Sequence, residues 1–149
     1  MLCDHAALPR LLLLNRPFDD LSQICVRLEA EAVEWILEES RTGLFAIVTS
    51  DYLTLELLRN PDPVKRANTL AMTSYSGIHV PVLESVAIRA SHIESFGITG
   101  FDALHVAAAE TAGCDYLVTT DDCLLKKSQR HHDHLRVSLL NPIDIISLS

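Results

Sequence analysis

Residues 100–122, GFDALHVAAAETAGCDYLVTTDD, are the most informative part of the sequence for the fold. Asp102 lies where a helix is expected to begin, and residues 103–112 are strong helix formers without a breaker. Gly113 suits the position just past a helix end, because glycine enters the left-handed region freely. Residues 115–119 then carry the apolar run Tyr-Leu-Val, which favours a strand buried on both faces. The stretch therefore predicts a helix that leads into a parallel strand.

The two acidic residues that flank this unit are expected to meet at one edge of the sheet. A helix that packs antiparallel to the following strand brings its first turn, with Asp102, beside the end of that strand, with Asp121. Open α/β sheets bind ligands at this carboxyl edge. Adjacent carboxylates repel each other unless a cation lies between them, and Mg²⁺ or Mn²⁺ suits oxygen ligands. The alternative is that Asp102 only caps its helix and Asp121 only forms a turn.

Strands and helices alternate along the rest of the chain. Strands are predicted at residues 11–14, 44–48, 78–83 and 135–140, and helices at 21–40, 50–60, 63–75 and 84–95. The alternation predicts a three-layer α/β/α sandwich with a mostly parallel central sheet, in one domain over residues 1–149. Pro81 interrupts the third strand, so we expect that strand near an edge of the sheet.

The composition is that of a packed globule with an acidic surface. The 149 residues are 48% hydrophobic, contain 5 glycines and carry a net charge of −8. The negative charge argues against a simple nucleic-acid binder, which gains affinity by neutralising phosphates. Action on RNA would need a local basic rim. The candidates, for which a solvated surface segment is the alternative, are Lys126, Lys127, Arg130 and Arg136.

Two further features indicate a cytoplasmic protein. The dense leucine run at residues 11–14 is far too short to span a membrane. The four cysteines contain no Cys-x-x-Cys pair, so they are expected to be reduced and mostly buried, without a disulfide framework or a zinc site.

Two segments of the 100–122 stretch resemble the C-terminal half of a PIN domain, the family that includes the VapC-type toxin ribonucleases. These segments are DALHVAAA at 102–109 and YLVTTD at 116–121. Weaker similarity covers LNRPFDD at 14–20, RLEAEAVEWIL at 27–37, residues 50–58, and Asn141-Pro142 as part of a closing strand. The resemblance implies an endoribonuclease that hydrolyses RNA with Mg²⁺ or Mn²⁺. It also implies a homodimer and, for a toxin, a partner antitoxin.

The resemblance assigns roles to particular residues. The catalytic acids would be Asp102, Asp121 and Glu56, and these three with Asp4 would be the metal ligands. The substrate contacts would be Thr120, Arg16 and Lys126.

Position alone supports other roles for several of these residues. Glu56 lies beside the buried stripe of its helix, which by itself favours a solvated flank. Asp51, its competitor on that helix, is explained by the helix dipole. Arg16 would first anchor the loop through an ion pair with an acid at 19–20. His105 is expected to pack with a satisfied ring rather than to bind a metal.

The N-terminal segment departs from the PIN pattern. A PIN domain has an Asp at the end of its first strand, and alignment without gaps from Asn15 places Arg10 at that position. Asp4 is the nearby upstream acid. Either Asp4 serves through a changed connection or a ligand has been lost. The second case gives the alternative function, a catalytically impaired PIN-like binding or regulatory module.

Overall fold

Five parallel strands form one sheet among the residues described by the computed structural model, which are 9–14, 24–59, 61–63, 66–67 and 76–148. The strands are β1 (Arg10–Leu13), β2 (Ala46–Ser50), β3 (Ser76–Val80), β4 (Tyr116–Val118) and β5 (Ser138–Leu140). The helices of this part of the chain are α1 (Ile24–Arg41), α2 (Asp51–Leu58), α3 (Glu84–Glu94), α4 (Phe101–Thr111), α5 (Asp122–Arg130) and α6 (Pro142–Leu148). A short 3₁₀ helix spans His132–His134.

The strand order β3-β2-β1-β4-β5 places a topological switch point between β1 and β4. The chain first builds outward from β1 to β2 and β3, and then adds β4 and β5 on the other side of β1. In such sheets the crevice for ligands opens at the carboxyl ends of the strands beside the switch point. The strand predicted at residues 78–83 is β3, and it forms one edge of the sheet as expected, with Pro81 directly after it.

The two faces of the sheet build two separate apolar cores. Alternate strand residues point to opposite faces, so the neighbouring strands contribute matching rows. One row packs against α3 and α4, and it contains Leu12, Val48, Leu117 and Leu139. The opposite row packs against α1 and α6, and it contains Leu11, Leu13, Ile47 and Val118. The predicted three-layer α/β/α sandwich with a parallel sheet is therefore confirmed.

The α4–β4 unit has the form predicted for residues 100–122. Gly113 has a φ of 69° and lies just past the C-cap Ala112. The Gly113 N–H donates to the Glu110 carbonyl at 3.0 Å, and the Cys114 N–H donates to the Ala109 carbonyl at 2.9 Å. This pair of bonds is a Schellman motif, which ends the helix sharply and turns the chain into β4. The arrangement leaves the first turn of α4 at the carboxyl edge of the sheet.

The second strand begins two residues later than predicted. Leu44 donates its N–H to the Glu39 carbonyl at 2.9 Å, and Gly43 has a φ of 92°. Residues 43–44 therefore complete the end of α1 rather than start a strand. The strand continues instead to Ser50, whose hydroxyl accepts a hydrogen bond from the Leu53 N–H and caps α2.

Two C-terminal features differ from the sequence prediction. Residues 122–130 form α5, which was not predicted, and the late strand is limited to Ser138–Leu140. Asn141-Pro142 does not belong to a closing strand. The Asn141 side-chain oxygen accepts a hydrogen bond from the Ile143 N–H, and Pro142 is the first residue of α6. Proline suits this position because the first helical N–H has no partner within the helix.

Several sequence predictions fall on residues outside the described ranges. These predictions concern Asp4, Arg16, most of the PIN-like loop at 14–20 and most of the helix predicted at 63–75.

The expectation that the cysteines are mostly buried is wrong for the described ones, because Cys25 and Cys123 are exposed and only Cys114 is buried. Among the described helices, none combines the length and the apolar character needed to cross a membrane.

Candidate active site

Asp102 lies in the first turn of α4 but does not cap it. The N-cap is Gly100, whose φ of 62° and ψ of −137° a glycine adopts without strain, so the alternative in which Asp102 serves only as a cap is excluded. The Asp102 side chain is half-buried. No described residue forms a hydrogen bond or an ion pair with it.

Asp121 follows β4 and caps α5. Its Oδ1 accepts a hydrogen bond from the Leu124 N–H at 3.1 Å, and its own N–H donates to the Thr119 hydroxyl at 3.1 Å. Asp121 therefore does cap α5. The cap occupies Oδ1 and fixes the side chain at the carboxyl end of β4, while Oδ2 has no hydrogen bond to the described part of the chain.

The charges of two other carboxylates act on Asp102 at this edge. Burial raises the pKa of Asp102, and the negative charges of Asp121 and Glu56 raise it further. His105 and Lys127 lower the pKa of Asp102 by smaller amounts than burial raises it. The structure thus brings together the three acids singled out in the sequence, beside the switch point between β1 and β4. Their role as metal ligands and catalytic groups stays a prediction.

Glu56 is not a solvated flank of α2. Its Oε1 lies 3.0 Å from Nε2 of His105, which is on α4. The Glu56 side chain is about one-third exposed, whereas that of His105 is almost completely buried. The pair joins two helices that are far apart in sequence, and it turns Glu56 toward the site.

The ring of His105 is only half satisfied, contrary to the sequence expectation. Its Nδ1 is buried and has no hydrogen-bond partner in the described part of the chain. The ring stacks on Phe101 with centroids 6.0 Å apart and planes 22° apart, and the Arg59 guanidinium lies 5.5 Å from the centroid of the Phe101 ring. His105 is therefore held by packing on one side and by Glu56 on the other. The sequence signal for this contact was its spacing of one helical turn from Asp102.

Asp51, the local competitor of Glu56, belongs to a separate network. Its Oδ1 lies 2.6 Å from Nε2 of His79, and its Oδ2 accepts a hydrogen bond from the Val82 N–H at 3.1 Å. Nδ1 of His79 is 2.8 Å from the Thr49 hydroxyl. The hydrogen bond to His79 holds the pKa of Asp51 below its ordinary value. These contacts tie β3 and the segment after it to the start of α2, and the charge of Asp51 is not among those that shift the pKa of Asp102.

The predicted substrate contacts have different positions. Thr120 lies half-buried between β4 and α5, but Thr119 is the threonine whose hydroxyl holds Asp121. Lys126 is exposed, whereas Lys127 is half-buried and its positive charge lowers the pKa of Asp102. Lys127 lies one turn after buried Leu124, which could have marked it in the sequence as the lysine nearer the site. Arg16 lies outside the described residues.

The ungapped placement of Arg10 at the end of the first strand is wrong. Arg10 begins β1, at the edge opposite to the candidate site. Its N–H donates to Asp115 Oδ2 at 2.9 Å, and its Nη1 donates to the Ala112 carbonyl at 2.6 Å. Arg10 therefore joins β1 to the α4–β4 connection. Asp4 lies outside the described residues, and its role as a ligand stays a prediction.

The donor set at the edge fits a hard divalent cation. All three acids offer oxygen, and Asp102 is a half-buried carboxylate without a protein partner in the described ranges. Within those ranges no group of three or more Asp, Glu, His or Cys side chains is placed to hold a metal ion. Mg²⁺ commonly takes only one or two carboxylates and keeps several waters, so the arrangement suits a partly hydrated ion.

The fold is similar to that of a known structure. VapBC-1 from nontypeable Haemophilus influenzae matches with a TM-score of 0.54 over 89% of this chain and 98% of that chain, at 15% sequence identity. No family profile matches the chain, and no curated protein matches it. At this identity the similarity concerns the fold. It confirms the resemblance to the PIN domain, the fold of VapC-type proteins.

Proposed function

We propose that this protein is a divalent-metal-dependent endoribonuclease of the PIN/VapC type that hydrolyses RNA phosphodiester bonds. The observation that carries the proposal is the action of the Asp121 and Glu56 charges on Asp102, a half-buried carboxylate without a hydrogen-bond or ion-pair partner among the described residues. A charged carboxylate is seldom left in such a position unless it serves a ligand. The PIN-like fold supports the same conclusion.

The three acids, together with Asp4, are the ligands that would hold one or two Mg²⁺ or Mn²⁺ ions. When bound, such an ion activates water for attack on the phosphodiester and offsets charge on the leaving oxygen. The chain orients these groups. Asp121 is fixed by its cap on α5, Glu56 is fixed by His105, and Asp102 is presented by the first turn of α4.

Lysines near the acids would offset the overall negative charge where RNA approaches. Lys127 is the nearer cation, and Lys126 and Arg130 extend the basic surface along α5. Thr120 and Arg16 are further proposed contacts to the substrate.

The biological setting follows the resemblance. We place the protein in the cytoplasm as a toxin that a partner antitoxin neutralises, and as a homodimer. VapBC-1, with which the chain shares its fold, supports this setting by analogy.

The test is metal-dependent cleavage of RNA by the wild type and by Asp102→Asn. The proposal predicts cleavage that requires Mn²⁺ or Mg²⁺ and that is lost in Asp102→Asn. The matched control is Asp144→Asn, which changes an exposed carboxylate in the first turn of α6 and should cleave like the wild type. Full cleavage by folded Asp102→Asn would contradict the proposal.

One observation favours the alternative function, a catalytically impaired PIN-like binding or regulatory module. The residue directly after β1 is the apolar Leu14, whereas the resemblance implies an acid at the end of the first strand. The alternative predicts a folded protein with neither Mn²⁺ binding nor metal-dependent cleavage, so the same experiment separates the two functions.

A further inference from the structure

We propose that His105 is a positioning residue that orients Glu56 for the metal by donating a hydrogen bond from Nε2. The inference rests on the proposed function, because it concerns a ligand of the same site. It adds to the three acids a buried side chain, that of His105, which acts through one of these acids, Glu56.

His105 connects the helix that carries Asp102 to the helix that carries Glu56. His105 lies three residues after Asp102, so the two side chains lie on the same side of α4. Its Nε2 reaches across to Oε1 of Glu56 on α2 at 3.0 Å. A single buried imidazole therefore sets the distance between the helix that presents Asp102 and the side chain of Glu56.

The hydrogen bonds of the ring identify the nitrogen that donates to Glu56. An ionised carboxylate only accepts hydrogen bonds, so Nε2, which lies 3.0 Å from Oε1 of Glu56, must be the donor. Nδ1 is buried and has no hydrogen-bond partner among the described residues. The structure therefore assigns the hydrogen bond to the Nε2–H group of His105.

A positioned Glu56 should bind a cation more tightly than a free one. The glutamate side chain has several rotatable bonds, and ordering them on binding opposes affinity. Hydrogen bonds from outer residues to metal ligands typically change metal affinity about 10–100-fold. The ring itself cannot easily shift, because it is packed against Phe101 and is fully buried.

The first test compares Mn²⁺ affinity, measured by calorimetry, in the wild type, His105→Gln and His105→Leu. Glutamine keeps an N–H donor at nearly the position of Nε2, whereas leucine keeps the burial and removes the donor. We expect His105→Leu to bind Mn²⁺ about tenfold more weakly and His105→Gln to recover most of the affinity. The control is His79→Gln, which alters a second histidine–carboxylate pair outside the site and should leave the affinity unchanged.

The outcomes separate this inference from the proposed function. Equal Mn²⁺ affinity in the wild type and folded His105→Leu would overturn the positioning role and leave the metal-dependent function intact. Absence of Mn²⁺ binding in the wild type would overturn both.

A measurement on the metal-free protein covers the case in which His105→Leu fails to fold. Nitrogen NMR of the wild-type ring should show a protonated Nε2, and Glu56→Gln should shift the Nε2 resonance while Asp144→Asn does not. A ring protonated on Nδ1 alone, or an Nε2 resonance insensitive to Glu56→Gln, would overturn the inference.

Discussion

Burial raises the pKa of Asp102, and the negative charge of Asp121, which caps α5 at the end of β4, raises it further. Asp121 remains near because its carboxylate caps α5, and Asp102 remains near because α4 starts at the same edge. The repulsion between them is built into the metal-free protein, and it leads to a prediction about stability.

Replacing Asp102 by asparagine should stabilise the metal-free protein increasingly as the pH rises. The raised pKa means that the folded state holds this proton more tightly than the unfolded chain, whose value is near 3.8. The residue therefore favours folding below that pH and opposes folding once the pH has risen through the folded-state value. Thermal unfolding at several pH values should show that the stability of Asp102→Asn relative to the wild type increases between acid and neutral pH. A difference that stays constant with pH would contradict the electrostatic coupling.

Asp51 should show the opposite dependence on pH. The hydrogen bond to His79 lowers its folded-state pKa, so the ionised residue stabilises the fold above about pH 3.8, and this contribution is lost as the pH falls through the lowered value. Urea unfolding should find Asp51→Asn less stable than the wild type at pH 7 and similar to it in strong acid. The exposed pair of His132 and Asp133 provides the control, since Asp133→Asn should change little at either pH. If Asp51→Asn remained equally less stable than the wild type in strong acid, the stabilisation could not come from the ionised Asp51 paired with His79.

Gly113→Ala should destabilise the protein by about 1–2 kcal/mol, because an L-residue in the left-handed region is strained. The φ of Gly113 is 69°, and an added Cβ would lie 3.3 Å from Nη1 of Arg10. Gly77→Ala is the matched control, because a Cβ there meets nothing within 4 Å. Chemical denaturation of both variants checks the prediction, and equal stabilities would show that the Schellman turn is not under this constraint.

The cysteines should differ sharply in reactivity. Burial raises the pKa of the Cys114 thiol to about 12, so almost no thiolate forms at neutral pH. Cys25 and Cys123 are exposed and should react with a thiol reagent in the folded protein, whereas Cys114 should react only after unfolding. Mass spectrometry of the labelled protein, with Cys3→Ser to remove the fourth thiol, identifies the modified residues. Rapid labelling of Cys114 in the native state would mean that the α4–β4 connection opens readily.

The parts of the fold that the sequence predicted well depend on local rules. Gly113 and the alanine-rich run before it predicted the end of α4, and the apolar run at 116–118 predicted β4. The start of β2 was placed wrongly because Leu44, although apolar, completes the end of α1. The short helix α5 was not predicted, although Asp121 as its cap and Lys127 in its last turn were signals for it.

The contacts within the candidate site were less predictable, because they join distant segments. Glu56 and His105 lie on separate helices, and only the packing of α2 against α4 brings them together. Asp51 likewise could not be assigned to its network without knowing that His79 on β3 lies beside it. The proximity of Asp102 and Asp121 was the exception, since the direction of one helix and one parallel strand determined it.

Calorimetric titration of Mn²⁺ into the wild type and Asp102→Asn tests whether the three acids hold a divalent cation. We expect the wild type and Asp144→Asn to bind Mn²⁺ with similar affinity and Asp102→Asn to lose most of that affinity. Binding that is unchanged in folded Asp102→Asn, or absent from the wild type, would show that these acids are not the cation site.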